Sequence, residues 1–204
     1  MNCYQKRIIF MGSPDFAVPA LKLLSGKYPV VGVVTQPDRP AGRGRELTAP
    51  AIKVVALDLG LPILQTGKIS QSEVVQQLSN WNPDVIIVAA FGQILRQNVL
   101  DLAPFGCVNI HASLLPRWRG AAPIQACILA GDVQTGVSIM KLDAGVDTGP
   151  ILSQRAIAID LEDTGGNLSK KLAILGSELL MDTLPDYLNE MIKPHPQDAE
   201  QSSY

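Results

Sequence analysis

Gly106-Cys107-Val108-Asn109-Ile110-His111-Ala112-Ser113-Leu114-Leu115-Pro116-Arg117-Trp118-Arg119-Gly120 starts as a short run of β-type residues and breaks into a loop marked by Pro116 and Gly120. A strand over Cys107–His111 alternates its side chains between the two faces of a sheet. Cys107, Asn109 and His111 then share one side, and Val108 and Ile110 take the other. An amide and an imidazole emerge side by side where the strand meets its loop. In open α/β sheets, ligands bind beside the carboxyl ends of strands. From this stretch alone, a polar strand end with a hydrogen-bonded core histidine is the favoured reading, because polar strand ends are common, so the surrounding sequence has to decide.

Upstream, residues 8–11 predict a buried strand, and Gly12-Ser13-Pro14-Asp15 predicts a turn. Phe16, Val18, Leu21, Leu23 and Leu24 supply a helical apolar face that Gly26 can close, and Val30–Thr35 predicts a second strand. This is the opening of a doubly wound sheet. A dinucleotide site is not indicated, because G-x-G-x-x-G is missing and only Gly12 is present. Residues 52–59 read as a helix and residues 62–64 as a short strand. Ser70-Gln71-Ser72-Glu73 fits a capping box before the helix carrying Val74, Val75 and Leu78. Residues 84–90 form a continuous apolar run, as expected of a parallel strand covered on both faces. Phe91-Gly92-Gln93-Ile94-Leu95 is its exit.

Downstream, Pro123–Leu129 predicts a helix, and residues 135–142 predict a strand. Residues 151–159 alternate well enough to return beside that strand as an antiparallel pair. Between them, Asp143-Ala144-Gly145-Val146-Asp147-Thr148-Gly149-Pro150 is a loop with two carboxylates and two glycines. Asp163 or Thr164 can cap a last long helix, which Pro185 is expected to interrupt. Residues 193–204, with Pro194, Pro196 and a polar end, read as linker. Residues 36–50 are too long and too broken for a simple connection. They place Arg39, Arg43 and Arg45 among prolines and glycines, a basic finger that is either solvated surface or a phosphate contact.

With 204 residues, 47% of them apolar, the chain can bury a substantial core and suits one α/β domain, or one domain plus an appendage. A net charge of -2 gives no global basic field, so any nucleic-acid contact has to be local. Cys3, Cys107 and Cys127 form no CxxC pair and suit a reducing compartment. No run reaches the roughly 20 apolar residues that a transmembrane helix needs. With His111 and His195 the only histidines, no metal-binding spacing exists. The expectation is a cytoplasmic domain with no membrane contact and no metal.

Asn109, His111 and Asp147 together form a credible set for acyl transfer without a covalent intermediate. The amide donates to a carbonyl oxygen, a protonated imidazole stabilises the developing oxyanion, and the carboxylate favours that charged imidazole. A serine hydrolase with Ser113 as nucleophile is the competing reading, but no G-x-S-x-G elbow surrounds it. Leu115-Pro116 beside such a site is expected to be a tight element, with cis a candidate geometry.

Asn109-Ile110-His111-Ala112-Ser113-Leu114-Leu115-Pro116, followed by Arg117-Trp118-Arg119-Gly120-Ala121-Ala122-Pro123, resembles the active-site signature of the folate-dependent formyltransferases. Gly12-Ser13-Pro14-Asp15-Phe16-Ala17, the stretch 36–43 and the loop 143–149 are similar to the branch that formylates initiator methionyl-tRNA. The resemblance implies a Rossmann-like formyltransferase fold, with a mostly parallel sheet, helices on both faces and an antiparallel C-terminal pair. It implies a one-carbon group transferase that moves the formyl group of 10-formyltetrahydrofolate to the α-amino group of initiator methionyl-tRNA by direct amine attack. Asn109, His111 and Asp147 would carry catalysis. Phe91, Gly92, Gln93, Ile94 and Leu95 would border the folate with Ser113, Leu114, Leu115 and Pro116, and Asp143 and Val146 would complete that site. Arg39, Arg43 and Arg45 would meet the tRNA. Residues 1–192 would be the catalytic domain of a monomer, and 193–204 the start of a linker to an OB-like domain that this chain does not encode. The alternatives are another folate-dependent formyltransferase, a formyltetrahydrofolate hydrolase, or a non-catalytic Rossmann-like binding module.

Overall fold

The apolar runs assemble into one seven-stranded sheet with the order β5-β2-β1-β6-β7-β8-β9. The computed structural model describes residues 3–42 and 46–204. In chain order the elements are β1 (Ile8–Gly12), α1 (Val18–Ser25), β2 (Val30–Thr35), β3 (Arg39–Ala41) and β4 (Glu46–Thr48). They continue with α2 (Ala51–Asp58), β5 (Ile63–Gln65), α3 (Ser72–Asn80), β6 (Val85–Ala89) and α4 (Gln97–Leu100). The rest are β7 (Cys107–His111), α5 (Pro123–Leu129), β8 (Gln134–Lys141), β9 (Ile151–Ala158) and α6 (Gly165–Leu188). From β5 to β7 the strands run parallel. β8 is antiparallel to both β7 and β9.

Strand alternation divides the apolar side chains between two cores. Ile8, Phe10, Val85, Ile87, Val108 and Ile110 face one side, where α1, α2, α5 and the long α6 cover them. Ile9, Met11, Ile86, Val88 and Cys107 face the other, under Leu78 of α3 and Val99 and Leu100 of α4. Helices on both faces explain why β6 reads as an unbroken apolar run. α6 lies close behind β7: a Cβ at Gly176 would come within 2.7 Å of Ile110 Cγ2. Asn109 and His111 point away from α6, toward the face where β7 is least covered by helix.

Several local expectations are corrected. The capping box at Ser70 does not form: α3 begins one residue later, with Gln71 at its N-cap and no side-chain cap bond. Glu73 still lies in the first turn, where its charge suits the helix dipole. Thr164 caps α6 instead, in a reciprocal box with Asn167. α6 runs through Pro185 without interruption, because the missing N–H falls in its last turn, where little helix remains to be lost. The basic finger is a small antiparallel ribbon rather than a plain loop, pairing Arg39 with Thr48 and Pro40 with Leu47. Gly42, at φ +68°, starts its turn. At the base of the ribbon Asp38 holds Lys53 at 2.6 Å and accepts from Gln65, and Lys53 keeps its carboxyl below the usual range. Arg43 and Arg45 lie outside the described residues. The segment 193–204, read as linker, is also not free. His195 forms a two-way backbone bridge with Ile151, and the chain then packs back over the loop after β7.

Candidate active site

Asn109 and His111 end β7 on one face, 9% and 5% exposed. His111 Nε2 lies 2.8 Å from the backbone carbonyl of Trp118. A carbonyl only accepts, so Nε2 carries the hydrogen. Trp118 presents that carbonyl from a left-handed conformation, φ +57°, which is uncommon for a bulky residue. On the other side of the ring, Nδ1 lies 3.6 Å from Asp147 Oδ2, within reach of an ion pair but long for a hydrogen bond. Asp147 is itself left-handed, φ +51°, and its Oδ2 accepts from the Gly120 N–H at 2.9 Å. The loop after β7 and the loop before β9 therefore meet at His111. The Asn109 side-chain amide has no hydrogen-bond partner among the described residues. Its atoms are nevertheless accessible, since Tyr28 Oη is the one fully buried side-chain polar atom without a partner among the described residues, so the amide is open to whatever occupies the cleft.

The loop after β7 is held by groups that the sequence did not single out. Ser138 of β8 is fully buried; its hydroxyl donates to Ser113 O at 2.7 Å and accepts from Leu115 N–H at 3.0 Å. Gln154 of β9 donates to Ser138 Oγ and to Leu115 O. The Leu115–Pro116 peptide is cis. Asp132, just beyond α5, takes Arg117 through two bonds of 3.0 and 2.6 Å and the Trp118 indole N–H at 2.7 Å. Arg117 and then the indole hold the Asp132 carboxyl below its ordinary value. Arg117 also stacks over the Trp118 ring, 4.3 Å from its centre. Polar residues at alternating positions of two paired strands were the available signal for Ser138 and Gln154.

The remaining expected residues divide by role. Phe91 and Leu95 turn into the core, and Ile94 is 71% exposed. Gly92 adopts φ +77°. Gln93 accepts from Ile69 N–H at 2.7 Å and donates to Thr66 O at 2.8 Å, fastening the exit of β6 to the segment before α3. Ser113 donates its hydroxyl to Arg117 O at 2.6 Å. That bond leaves it turned to its own loop and not to His111, as a nucleophile would need. Leu115 is buried, while Leu114 and Pro116 are half-buried. Asp143 accepts from Gly145 N–H and Thr148 Oγ1, shaping the loop that carries Asp147, and Val146 is exposed. A concavity of about 440 Å³ lies between the segment from Gln97 to Gly106 and the start of that loop; of the expected folate residues Asp143 alone lines it, and Asn109, His111 and Asp147 do not. Arg39 is exposed and donates to Gln36 Oε1. Cys107 shares the face of Asn109, but burial pushes its thiol up to about 12, which removes it as a nucleophile.

The C-terminal segment supplies two further contacts. Arg119, 7% exposed, donates through Nε and Nη2 to Gln197 Oε1. Gln197 Nε2 donates to Asp147 O at 2.9 Å and Gly149 O at 2.7 Å. No pattern in the sequence marks Gln197, which sits in a Pro-rich stretch without periodicity.

Residues 6–184 match the formyl transferase family. The chain belongs to that family. It is 52% identical over 200 residues to a methionyl-tRNA formyltransferase of Halorhodospira halophila, covering 97% of this chain and 64% of the relative. It is 50% identical over 198 residues to one from Lysinibacillus sphaericus, covering 97% and 63%. The chain thus spans a little under two thirds of the length of these curated relatives. Among solved structures, a phosphoribosylglycinamide formyltransferase from Bacillus halodurans superposes with a TM-score of 0.75 at 27% identity, covering 91% of this chain and 97% of that one. A sugar 3N-formyltransferase superposes with a TM-score of 0.72 at 22% identity, covering 98% and 69%, and supports the fold alone. The mostly parallel sheet with flanking helices is the fold of these formyltransferases.

Proposed function

We propose that this chain carries the formyl-transfer chemistry of a methionyl-tRNA formyltransferase, moving a formyl group from 10-formyltetrahydrofolate to the α-amine of initiator methionyl-tRNA in the cytoplasm. The observation that carries the reading is the clasped imidazole of His111, between Trp118 O and the Asp147 carboxylate, beside the unpartnered amide of Asn109. High identity to relatives bearing that name supports the acceptor. The folate supplies the formyl group. The open Asn109 amide, without a partner among the described residues, suits a donor whose carbonyl oxygen can accept its hydrogen.

In this reading Asn109 donates an amide hydrogen to the formyl oxygen. His111, with its Nε2–H fixed on Trp118 O, acts as the protonated ring and donates Nδ1–H to the charge that builds on that oxygen. One such donor is worth about 3–4 kcal/mol in the transition state. As the bond from the amine to the formyl carbon forms and the bond from that carbon to N10 of the folate breaks, Asp147 keeps the imidazole oriented and its charge balanced and helps pass the amine proton to the departing N10. The reacting groups Asn109, His111 and Asp147 lie within the proposed catalytic unit 1–192, and Arg39 of the ribbon is the described group that would meet the tRNA backbone.

The test is formyl transfer by the purified protein with initiator methionyl-tRNA, glycinamide ribonucleotide and water as competing acceptors. Transfer to methionyl-tRNA is expected. Preference for glycinamide ribonucleotide, or simple hydrolysis of the donor, would assign the site to another branch of the family.

A further inference from the structure

The two groups that clasp His111 are both tied to the same short stretch near the C-terminus. On the Trp118 side, Ser203 Oγ accepts from Trp118 N–H at 3.0 Å, Ser203 O accepts from Arg119 N–H at 2.8 Å, and Ser203 N–H donates to Pro116 O at 3.3 Å. On the Asp147 side, Gln197 Nε2 donates to Asp147 O and Gly149 O. Gln197 also joins the two sides, because its Oε1 receives both bonds from Arg119.

We infer that Gln197 is a positioning residue, the cross-link that sets the spacing between the Trp118 carbonyl and the Asp147 carboxylate and so fixes the imidazole of His111 for formyl transfer. The inference rests on the functional reading above for its catalytic meaning, and on geometry for the rest.

The chemistry of the amide suits the position. Its oxygen accepts from a guanidinium while its two hydrogens satisfy two backbone carbonyls, so all of its hydrogen-bonding capacity is matched to the site. Trp118 is left-handed at φ +57°, an uncommon state for a bulky residue, and Asp147 is left-handed at φ +51°. Residues held in such conformations persist when their surroundings over-determine them, and the Gln197 and Ser203 bonds supply that determination. Arg119 has no carboxylate partner among the described residues, so Gln197 is also what satisfies a buried guanidinium.

Gln197→Ala removes both halves of the link. Gln197→Glu keeps an acceptor for Arg119 but has no hydrogens for Asp147 O and Gly149 O. The readout is solvent exchange of the His111 Nε2 hydrogen, followed by nitrogen-15 NMR of the folded protein, which has only one other histidine, His195. In both variants exchange is expected to quicken by about tenfold or more as the clasp opens locally. The kcat for formyl transfer should fall about tenfold to a hundredfold, with KM moved less than about threefold, as expected from misplacement of a reacting group. Gln197→Glu behaving like the wild type would overturn the cross-link. So would a lowered melting temperature with unchanged imidazole exchange, the mark of a purely structural role. If Gln197→Ala does not fold, Ser203→Ala, which removes one hydroxyl from the Trp118 side, carries the same comparison with Gln197→Glu. The exchange measurement uses no substrate, so it decides the clasp even if the wild-type protein transfers no formyl group.

Discussion

The Trp118 carbonyl lies 2.8 Å from His111 Nε2, and this contact dictates which ring nitrogen is left for chemistry. Nδ1 is that nitrogen, on the side of Asp147. His111→Ala should lower kcat by about a hundredfold or more, the scale of one lost oxyanion donor. Asp147→Asn should also lower kcat, yet leave the fold intact, because an amide oxygen can still accept from Gly120 N–H. Steady-state kinetics with melting curves on both variants checks this. Wild-type kcat in His111→Ala would remove the imidazole from the mechanism.

Ser138 holds the loop after β7 from beneath. Its hydroxyl satisfies Ser113 O and Leu115 N–H in a fully buried position. Ser138→Ala strands both, at about 1–3 kcal/mol for each buried group left unpaired. Allowing for partial relaxation to a net of about 2–3 kcal/mol, Tm should fall by roughly 4–12 °C for a domain of this size. Calorimetry measures it. A melting temperature within a degree of wild type would mean that the loop finds other partners.

The sheet was legible because burial leaves a periodic trace. Val85–Ala89 is apolar at every position because its two faces lie in two helix-covered cores, and alternation in Cys107–His111 puts Asn109 and His111 on one side. The two glycines around Asp147 marked a loop whose backbone packs closely, and Gly149 does sit against Lys141 O. What was not legible has no period. α4 is four residues long, too short to show a face. Gln197 acts over 50 and 78 residues of chain through single hydrogen bonds, and nothing in a Pro-rich stretch distinguishes it from solvated neighbours. Ser70 shows the converse failure: a cap pattern was present, but the helix took Gln71 as its boundary.

The Asp132 junction gives the loop an acid limit. Arg117 and the Trp118 indole lower the carboxyl's folded value below its unfolded one, near 3.9. A depressed carboxylate contributes stability that is present above the unfolded value and lost as pH falls through the folded one. Asp132→Asn removes that contribution at neutral pH. The stability gap between wild type and variant should therefore be constant from pH 7 to about 5 and close below about 4. Denaturant titrations across that range measure it. A gap that persists unchanged at the acid end would show that the junction does not depend on charge. Arg117 is exposed on its solvent side, so the gap should also shrink with added salt.

Arg39 lies at the start of the ribbon, exposed, with its guanidinium on Gln36 and no carboxylate partner among the described residues. An exposed arginine on a two-stranded projection is well placed for a phosphate, since its planar fork binds phosphate oxygens in pairs. If the ribbon meets the tRNA backbone, Arg39→Ala should weaken tRNA binding while folate affinity stays unchanged, because the proposed donor site, around Asn109 and His111, is built from other segments. The salt dependence separates this from indirect damage. Each phosphate neutralised by a cation steepens the slope of log K against log salt by about 0.7–0.9. Binding of initiator methionyl-tRNA, titrated between low and physiological salt, should show the Arg39→Ala line flatter by about that amount. Parallel lines with a constant offset would mean that Arg39 acts through the shape of the ribbon. Coincident lines would take the ribbon's described arginine out of tRNA recognition altogether.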